Sequence, residues 1–369
     1  MFFKRLVLSN FRNFRDLSWY PYRGVNIITG NNAQGKTNLL EAIGFCTTGL
    51  SFRTSREKEM IKDGTNSLQV SALLERNGVE DDIIVRLAEN SIAEFRLNGV
   101  KQKKNRLFLP VMSVSFTPAD LDLIRGNPAG RRRWLDTEVC SFEPAYAYHL
   151  HNYNRVLLQK NNLLKEKIKT TGFSEILDSF NLQLINYGSR IIYSRLVQLG
   201  KMASVLKDLY RELTRGKEDI YYKYLSSVPL GDKLNIEAIT FSLNSAIASR
   251  SLEEKNRRQA LVGPHRDDLQ FYIGGMDARR YCSRGQQRSA VLSLKMSAIK
   301  LYHREYGEYP LLLMDDVMLE LDEARQAGMA GLFALPLQSF ITSTAVPENF
   351  PRDFKTVKIT NGQLIEGER

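Results

Sequence analysis

The sequence predicts an α/β fold in which one domain is built from both ends of the chain and a helical lobe is inserted between them. A glycine-rich loop at 30–37 follows an apolar, strand-like run near the amino terminus. A second apolar run, 311–314, leads into two aspartates near the carboxyl terminus. Between these ends, apolar residues recur at helical spacing across 131–164 and 174–210. Strands at both ends and helices between them indicate a discontinuous domain with an insert.

The loop at 30–37 fits the pattern G-x-x-x-x-G-K-[ST], with a strand-like run before it and a helix-like segment after it. Glycines let backbone N–H groups close around a phosphate, and the following helix points its positive end at the same anion. We expect Lys36 to reach the β- and γ-phosphates and the Thr37 hydroxyl to join a magnesium shell. A chance match in an irregular loop would lack the flanking strand and helix. The predicted nucleotide-binding residues of the loop are Gly30, Asn31, Asn32, Ala33, Gln34, Gly35, Lys36 and Thr37.

The apolar run at 311–314 ends in a pair of carboxylates that suits a metal–nucleotide site. A carboxylate at the end of a buried strand can hold Mg²⁺, so we predict Asp315 as a magnesium ligand together with Thr37. The next carboxylate, Asp316, is placed to orient or deprotonate an attacking water, and we predict Asp316 and Lys36 as the catalytic residues. Paired aspartates after an apolar run are also common in loops, but the phosphate-binding loop favours the functional interpretation.

Turn signals and periodicity divide the chain into three predicted segments. Alternating strands with turns at Asn77-Gly78 and Asn98-Gly99 assign 1–125 to the amino-terminal part of the first domain. The helical stretch assigns 126–250 to an inserted lobe. This lobe is either an ordinary helical subdomain or a projecting arm, and the helix lengths favour the arm. A return to mixed patterning assigns 251–369 to the carboxyl-terminal part of the first domain.

Composition indicates a cytoplasmic protein with a surplus of basic residues and no membrane partner. No segment is apolar enough to span a bilayer, and the amino terminus does not resemble a secretory signal. The three cysteines are too widely spaced for a disulfide framework or a zinc site. The net charge of +11 suits a phosphate backbone. Solvated surfaces and nucleotide contacts could absorb the same charges, so charge alone leaves nucleic-acid binding and an ordinary basic surface equally open.

A hexapeptide at 283–288, Ser-Arg-Gly-Gln-Gln-Arg, precedes a strongly helical stretch. A serine and a glycine at a helix start supply a hydroxyl, a flexible backbone and a positive dipole end, which together suit an anion. A simple helix cap is the alternative interpretation, and it requires only the serine. The hexapeptide resembles the signature motif of ABC-type ATPases.

Motifs along nearly the whole chain resemble the RecF family, the bacterial recombination mediators of the SMC/ABC ATPase superfamily. The phosphate loop is shared by many nucleotide-hydrolysing proteins. The heptapeptide Gly-Pro-His-Arg-Asp-Asp-Leu together with the hexapeptide at 283–288 is specific to the family. The segments that carry the resemblance are 8–14, 30–37, 116–121, 130–136, 263–269, 283–288, 315–316 and 320–322.

The resemblance implies an ABC/SMC-type P-loop ATPase head, without the long coiled coil of SMC proteins, that binds ATP and Mg²⁺ and in which ATP drives dimerisation. It implies that Ser283, Gly285 and Gln286 of one subunit complete the site that holds ATP at Lys36 of the other, and that Arg12 contacts the nucleotide phosphates. It also implies slow ATP hydrolysis and binding to single- and double-stranded DNA at gap junctions. The implied partners are RecR and RecO, with which such proteins load RecA in recombinational repair and replication restart.

The sequence departs from related ATPases at two places. A serine is usual at the position of Leu319, before 320–322, and this position bears on the contact across the dimer. No switch histidine follows the acidic strand, because Thr342, Ser343 and Thr344 occupy the next predicted strand. A hydroxyl is a weaker sensor of the γ-phosphate, which fits slow hydrolysis.

Three other classes of function share a phosphate loop. A transporter subunit is disfavoured by the missing switch histidine, the helical insert and the basic surplus, and a fused nuclease by the few residues that follow Asp322. An architectural protein that binds ATP without hydrolysing it stays open. For His265 we expect a structural hydrogen-bonding role rather than a catalytic one. The arginines at 131–133 suit a DNA contact and a structural ion pair equally well.

Overall fold

The computed structural model describes most of the chain. The described residues are 1–49, 51–54, 56–89, 94–102, 113–166, 172–231, 234–316, 331–345 and 353–366. Leu319 and residues 320–322, which bear on the predicted contact across the dimer, lie outside these ranges. So do residues 170–171, which lie between the two predicted helical stretches.

The chain divides into two compact units. The first contains Met1–Leu121, Asp208–Glu218 and Arg288–Arg369, and the second contains Asp122–Lys207 and Asp219–Gln287. The two ends of the chain therefore share one unit. Residues 251–287, which the sequence groups with the carboxyl-terminal part of the first domain, belong in this division to the second unit.

Strands and helices cover most of both units. The strands are β1 (Phe2–Phe11), β2 (Phe14–Trp19), β3 (Val25–Thr29), β4 (Ser67–Arg76), β5 (Val79–Ala88), β6 (Glu94–Leu97), β7 (Val100–Gln102), β8 (Ser113–Phe116), β9 (Ile220–Leu225), β10 (Asp268–Ile273), β11 (Met276–Asp277), β12 (Leu311–Asp315), β13 (Ser339–Ser343), β14 (Phe354–Thr360) and β15 (Gln363–Glu366). The helices are α1 (Lys36–Thr48), α2 (Asp122–Arg125), α3 (Pro128–Phe142), α4 (Pro144–Lys165), α5 (Phe173–Thr214), α6 (Ile236–Ser249), α7 (Ser251–Arg257), α8 (Ala278–Tyr281) and α9 (Arg284–Tyr306). None of the helices in the described part of the chain is long and apolar enough to cross a membrane.

The first unit contains a mostly parallel sheet in the order β15-β14-β3-β13-β12-β8. Strand β3, from the amino-terminal part of the chain, lies between β13 and β14, which come from the last part. All five residues of β12 are buried, as is typical of a parallel strand with both faces covered. The sequence predicts this fully buried strand and the next strand, β13, and both predictions are confirmed.

A second, antiparallel sheet of the first unit has the order β2-β1-β4-β5-β6-β7. Its hairpins turn at Asn77-Gly78 and Asn98-Gly99, whose positive φ values suit the tight turns that the sequence predicts. Helix α1 contacts β12 and β13 of the parallel sheet and β1 and β4 of the antiparallel sheet. The helix is therefore covered on both sides, which explains why its residues from Leu39 to Thr47 are all buried.

The helical stretch predicted across 131–164 is two helices in the structure, α3 and α4, which meet at Glu143. Pro144 is the first residue of α4, where its missing N–H costs nothing. A proline disfavours helical geometry in the residue before it, and Glu143 is extended with φ −134° and ψ 91°. The prediction of one continuous helix is wrong for this reason. The second predicted helix, 174–210, is confirmed as part of α5.

Helices α4 and α5 of the second unit run antiparallel. Leu163 and Leu164 near the end of α4 pack against Phe173 and Leu177 near the start of α5. Further along α5, Ile185 and Ile192 pack on α6 through an apolar cluster. The buried members of this cluster are Ile185, Ile192, Val228, Ile239, Leu243, Ile247 and Val262. A three-stranded antiparallel sheet, β11-β10-β9, completes the unit.

A buried ion pair joins α3 to α5 within the second unit. Arg195 Nη2 lies 2.7 Å from Asp136 Oδ1, and the Arg195 side chain is 2% exposed. Arg195 Nη1 also donates to the carbonyl oxygen of Pro264 at 2.9 Å. Burial of a guanidinium is tolerated because carboxylate and carbonyl oxygens replace its water.

We expect Asp136→Ala to lower the free energy of unfolding by about 3–5 kcal/mol, because Arg195 would keep its buried charge without a carboxylate. Urea unfolding followed by circular dichroism measures this loss. The matched control is Glu253→Ala, which removes an exposed carboxylate paired with Arg257 at 2.8 Å. That change is expected to cost less than about 1 kcal/mol. Equal losses in the two variants would contradict a structural role for the buried pair.

Candidate nucleotide-binding site

The parallel sheet brings the predicted site residues of the first unit to one edge. Strands β3, β13 and β12 are parallel neighbours, with Asp315 paired to Thr342 and Thr342 to Ile28 in register. Because the carboxyl ends of parallel strands meet at the same edge, the loop after β3 and the aspartates that end and follow β12 lie close together. The distant motifs of the sequence therefore form one site.

The phosphate loop adopts backbone conformations that require its glycines. Gly30 has φ +146°, and a Cβ there would lie 2.5 Å from the Ile359 carbonyl oxygen. Gly35 has φ +110°, and a Cβ there would lie 2.5 Å from the side-chain nitrogen of Asn13, Nδ2. The backbone of the loop is therefore held close to its neighbours, while the side chains of Asn31, Asn32 and Ala33 are exposed. No side chain caps the N-terminus of α1 at Gly35.

Lys36 is buried at the start of α1, with 4% of its surface exposed. Its Nζ donates to the carbonyl oxygens of Gly30 at 2.7 Å and Asn31 at 3.3 Å. Within the described ranges it has no carboxylate partner. A buried ammonium that is hydrogen-bonded only to carbonyl oxygens is a strong attractor for an anion, so the loop is electrostatically suited to a phosphate.

The Thr37 hydroxyl donates to Asp315 Oδ1 at 2.7 Å. The Thr342 hydroxyl donates to the same oxygen at 2.9 Å. Burial raises the pKa of Asp315 above its ordinary value, the neighbouring Asp316 charge adds to the rise, and the two hydroxyls oppose it. Asp315 is thus a desolvated carboxylate held by hydroxyl donors, an arrangement in which a bound cation would recover much of the lost solvation.

Asp316 follows β12 in a left-handed conformation, with φ +50°. Its backbone N–H donates to the Thr342 hydroxyl at 2.9 Å, so this threonine contacts both aspartates. Its Oδ1 is buried and has no hydrogen-bond partner among the residues that the structure describes. A buried carboxylate oxygen without a partner is available to a water or a ligand. The strand that lacks a switch histidine therefore supplies a threonine that positions the aspartate pair.

These residues fit a magnesium ion. Magnesium binds oxygen ligands at about 2.0–2.1 Å in an octahedron, so two adjacent ligands lie about 2.9 Å apart. The Thr37 hydroxyl and the Asp315 carboxylate oxygen are 2.7 Å apart, close to that spacing. Both are hard oxygen donors of the kind that magnesium prefers. Thr37 and Asp315 are therefore the residues that would hold the ion.

Asn13, at the turn between β1 and β2, holds the phosphate loop in place, a role that residue patterning does not indicate. Its Nδ2 donates to the Gln34 carbonyl oxygen at 2.8 Å, and its Oδ1 accepts from Asn38 Nδ2 at 2.8 Å. From the opposite end of the chain, the Asn361 backbone N–H donates to Gln34 Oε1 at 2.6 Å. The conformation of the loop is therefore set by residues from both ends of the chain.

Arg12 lies one residue before Asn13, in a left-handed conformation with φ +53°. Its Nε and Nη2 donate to the two oxygens of Glu41 at 2.9 and 2.8 Å, and its Nη1 donates to the Glu59 carbonyl oxygen. Glu41 is fully buried on α1, and sequence patterning gave no reason to select it. The structure thus fixes the guanidinium by a bidentate ion pair. A contact from Arg12 to a nucleotide phosphate stays a prediction.

The hexapeptide at 283–288 begins α9, and its first five residues belong to the second unit. Ser283 Oγ accepts from the Gln286 N–H at 3.2 Å, and Gln286 Oε1 accepts from the Ser283 N–H at 2.7 Å. This reciprocal pair is a capping box, so the helix-cap interpretation is confirmed. The serine hydroxyl uses only an acceptor lone pair in the cap and keeps its proton for donation. Ser283 is exposed and Gly285 half-buried, which leaves a phosphate contact sterically possible.

The heptapeptide at 263–269 and the arginines at 131–133 form a structural network in the second unit. His265 Nδ1 is 2.7 Å from the Tyr153 hydroxyl, and burial lowers the pKa of His265 to about 4. Arg131 is buried and binds both oxygens of Asp268 at 2.7 and 2.8 Å. These contacts favour the structural interpretation of both motifs, and for Arg131 they oppose the DNA contact that the sequence left open.

The parallel sheet, the loop after β3 and the aspartates of β12 define the chain as a P-loop ATPase head of the SMC/ABC class. The model of the RecF/RecN/SMC N terminal domain family matches residues 2–361. The chain is 43% identical to the DNA replication and repair protein RecF of Pelotomaculum thermopropionicum, over 94% of each chain. It belongs to the RecF family. The family resemblance and the fold class that the sequence predicts are confirmed.

Solved structures agree with this assignment. The recombination mediator protein RecF with ATP, from the RecFOR pathway, has a TM-score of 0.92 and 32% identity, covering 100% of this chain and 98% of that chain. An Smc head domain derived from Pyrococcus furiosus has a TM-score of 0.55 and 15% identity, covering 98% of this chain and 95% of that chain. The second likeness shows a shared fold only.

We expect Asp315→Asn to stabilise the nucleotide-free protein near pH 7 while weakening its magnesium-dependent nucleotide binding. The raised pKa means that folding disfavours the ionised carboxylate. Stability is therefore lost as the pH rises from the ordinary value of 3.8 through the raised pKa. Asparagine imitates the protonated acid and escapes that loss. Urea unfolding near neutral pH should show the gain, and unfolding below the ordinary carboxyl pKa should not. A gain of equal size at both pH values would contradict this explanation.

Proposed function

We propose that the chain is an ATP-dependent DNA-binding protein that dimerises on ATP, hydrolyses it slowly and acts in DNA replication and repair. The observation that carries the proposal is the buried Lys36 ammonium, which faces no carboxylate among the described residues. Thr37, the next residue in the chain, is hydrogen-bonded to Asp315, and the spacing of this pair suits magnesium. A related protein that binds ATP shares the fold over its whole length. The net charge of +11 suits a DNA backbone.

The residues of the first unit divide the chemistry among them. Lys36 and the N–H groups of the loop neutralise the β- and γ-phosphates. Thr37 and Asp315 are the residues that would hold Mg²⁺, which would withdraw charge from the phosphate oxygens. Asp316 accepts a hydrogen bond from the attacking water through its free Oδ1 and orients it. Thr342 keeps both carboxylates in place.

The γ-phosphate side of the site is completed by a second subunit. Ser283 is exposed and retains a hydroxyl proton, and Gly285 brings no side chain to the first turn of α9. The N–H groups of that turn and the positive end of a helix that runs to Tyr306 favour a phosphate. Ser283, Gly285 and Gln286 of one protomer therefore contact the ATP held by Lys36 of its partner, and ATP binding becomes dimerisation.

In this proposal the dimer engages single- and double-stranded DNA at gap junctions, and RecR and RecO work with it to promote RecA loading. These functions follow from the family rather than from a described contact. The relatives are named for DNA replication and repair, and a solved relative is described as a recombination mediator of the RecFOR pathway. An ATP switch that acts on DNA accounts for both the candidate nucleotide-binding site and the basic net charge of the chain.

Sedimentation with ATP and Mg²⁺ tests the composite site. The wild-type protein is expected to dimerise, whereas Lys36→Ala and Ser283→Arg are each expected to stay monomeric. Mixing the two variants is expected to restore dimers, because each mixed dimer contains one site with Lys36 from one protomer and Ser283 from the other. Only a site assembled from two subunits explains such rescue.

The control for the bulky arginine is Ser174→Arg, on the exposed first turn of α5, which is expected to dimerise like the wild type. A wild-type protein that sediments unchanged with ATP would remove the proposal of an ATP-driven dimer. If the mixture of Lys36→Ala and Ser283→Arg forms no dimers although both variants are folded, Lys36 and Ser283 do not share one composite site.

Phosphate release separates a switch that hydrolyses ATP from an architectural protein that only binds it. Asp316→Asn is expected to lower the rate of release by a factor of about 10² or more, because an amide cannot accept a proton from water. ATP-dependent dimers should persist, since the loop and Asp315 are intact. Asp353→Asn, at an exposed position, is the matched control and is expected to match the wild type. Release from the wild type no faster than the spontaneous hydrolysis of ATP would favour the architectural function, and equal, measurable release from wild type and Asp316→Asn would contradict the role of Asp316.

A further inference from the structure

One face of the three-stranded sheet in the second unit is open to solvent. Strand β9 exposes Tyr221, Lys223 and Leu225 on this face. In register with them on β10 lie Tyr272, Gln270 and Asp268, which are half-buried. The alternate residues of β10 are buried, so the sheet has one packed face and one solvated face. The exposed face carries aromatic rings, an aliphatic side chain and a lysine.

The tyrosines of this face form a stacked pair. The rings of Tyr221 and Tyr272 are 4.9 Å apart at their centroids and inclined by only 4°. Lys223 Nζ lies 5.2 Å from the centroid of the Tyr272 ring. Tyr221 is 41% exposed, so the stack ends in a ring that is open to solvent. A further planar ring can extend this stack, and unpaired nucleic-acid bases bind proteins in this way.

A small basic pocket adjoins this face at Asp268 and Gln270, and Leu269 and Phe271 from the packed face of β10 line it too. The pocket has a volume of about 160 Å³, and its lining includes Leu225, Asp268 and Asp277 with Arg131, Arg279 and Arg280. Along β10, Tyr272 is four residues from Asp268, or about 13 Å at the rise of a strand. The aromatic stack and the pocket therefore lie within the span of a short oligonucleotide.

The charges of the pocket leave two guanidinium groups available. Asp268 accepts from Arg131 through both oxygens, at 2.7 and 2.8 Å. Asp277 accepts from Gln270 Nε2 and from the Arg279 backbone N–H, each at 2.9 Å. Its distance to Arg280 Nε is 3.9 Å, at the limit of an ion pair. Within the described ranges no carboxylate pairs with the Arg279 guanidinium. The pocket thus suits a monoanionic phosphodiester.

We propose that this sheet face binds single-stranded DNA, with a base stacked on Tyr221 and a backbone phosphate at Arg279 and Arg280. The inference rests on the proposed DNA-binding function and assigns the unpaired strand to a specific surface. A duplex cannot use the stack, because its bases are already paired and stacked on each other. The surface therefore distinguishes a single strand from a duplex without reading its sequence.

The aromatic half of the surface is tested with the full-length chain in ATP and Mg²⁺. The probe is an oligothymidylate of about ten nucleotides, within the span of one single-strand-binding domain, and a duplex of equal length is the comparison. Tyr221→Leu is expected to lower the affinity for the single strand by about fivefold to a hundredfold and to leave duplex affinity unchanged. Tyr221→Phe keeps the ring and is expected to bind like the wild type. In a strand that contains 2-aminopurine, the wild type and Tyr221→Phe should quench the base on binding.

The basic half is tested by its salt dependence. The double variant Arg279→Gln with Arg280→Gln is expected to lower single-strand affinity and to make the slope of log affinity against log salt less steep by about 0.7, the value for one lost phosphate contact. Arg257→Gln removes one exposed positive charge from α7, outside the pocket lining, and is expected to keep the wild-type slope.

The possible outcomes separate this inference from the function on which it depends. Single-strand binding by Tyr221→Leu at wild-type affinity would overturn the inference and leave DNA binding intact. Equal losses for the single strand and the duplex would overturn it too, because the surface would then serve any backbone. A wild-type protein that binds neither probe would remove the proposed DNA-binding function as well.

Discussion

The hydrogen bond from the Thr37 hydroxyl to the Asp315 carboxylate joins two residues that are 278 positions apart in the chain. It forms only because β3 lies between β13 and β14, so that a strand from the start of the chain is aligned by strands from its end. The site therefore depends on the register of the sheet rather than on any local sequence.

The candidate site contains two ionisable side chains, Lys36 and Asp315, that are buried away from solvent. Lys36 is almost fully buried on carbonyl oxygens, and burial raises the pKa of Asp315. Desolvation penalises the charged form of Asp315, so this carboxylate opposes the stability of the unit. A bound cation would relieve that penalty. The second unit shows the opposite arrangement, because Arg195 and Asp136 satisfy each other and need no ligand.

Much of the fold and the central part of the site are visible in the sequence. The phosphate loop has a rigid spacing, β12 is continuously apolar, and Asn-Gly pairs mark two hairpins, so each carries a local signal. The break between α3 and α4 at Glu143 also has a local cause, which is Pro144. The contacts of Asn13 with Gln34 and of Arg12 with Glu41 have no such signal. Their geometry depends on how a hairpin turn packs against a helix, and residue type does not encode that packing.

The central place of β3 has a consequence for the synthesis of the protein. Both edges of this strand stay without their partners in the parallel sheet until residues beyond Ser339 have been made. At about 5–20 residues per second, the wait is on the order of a quarter of a minute to a minute. Strand β3 therefore cannot take its place in the parallel sheet before that point. The hydrogen bond from Thr37 to Asp315, and with it the nucleotide site, can form only after the last strands of the sheet have been made.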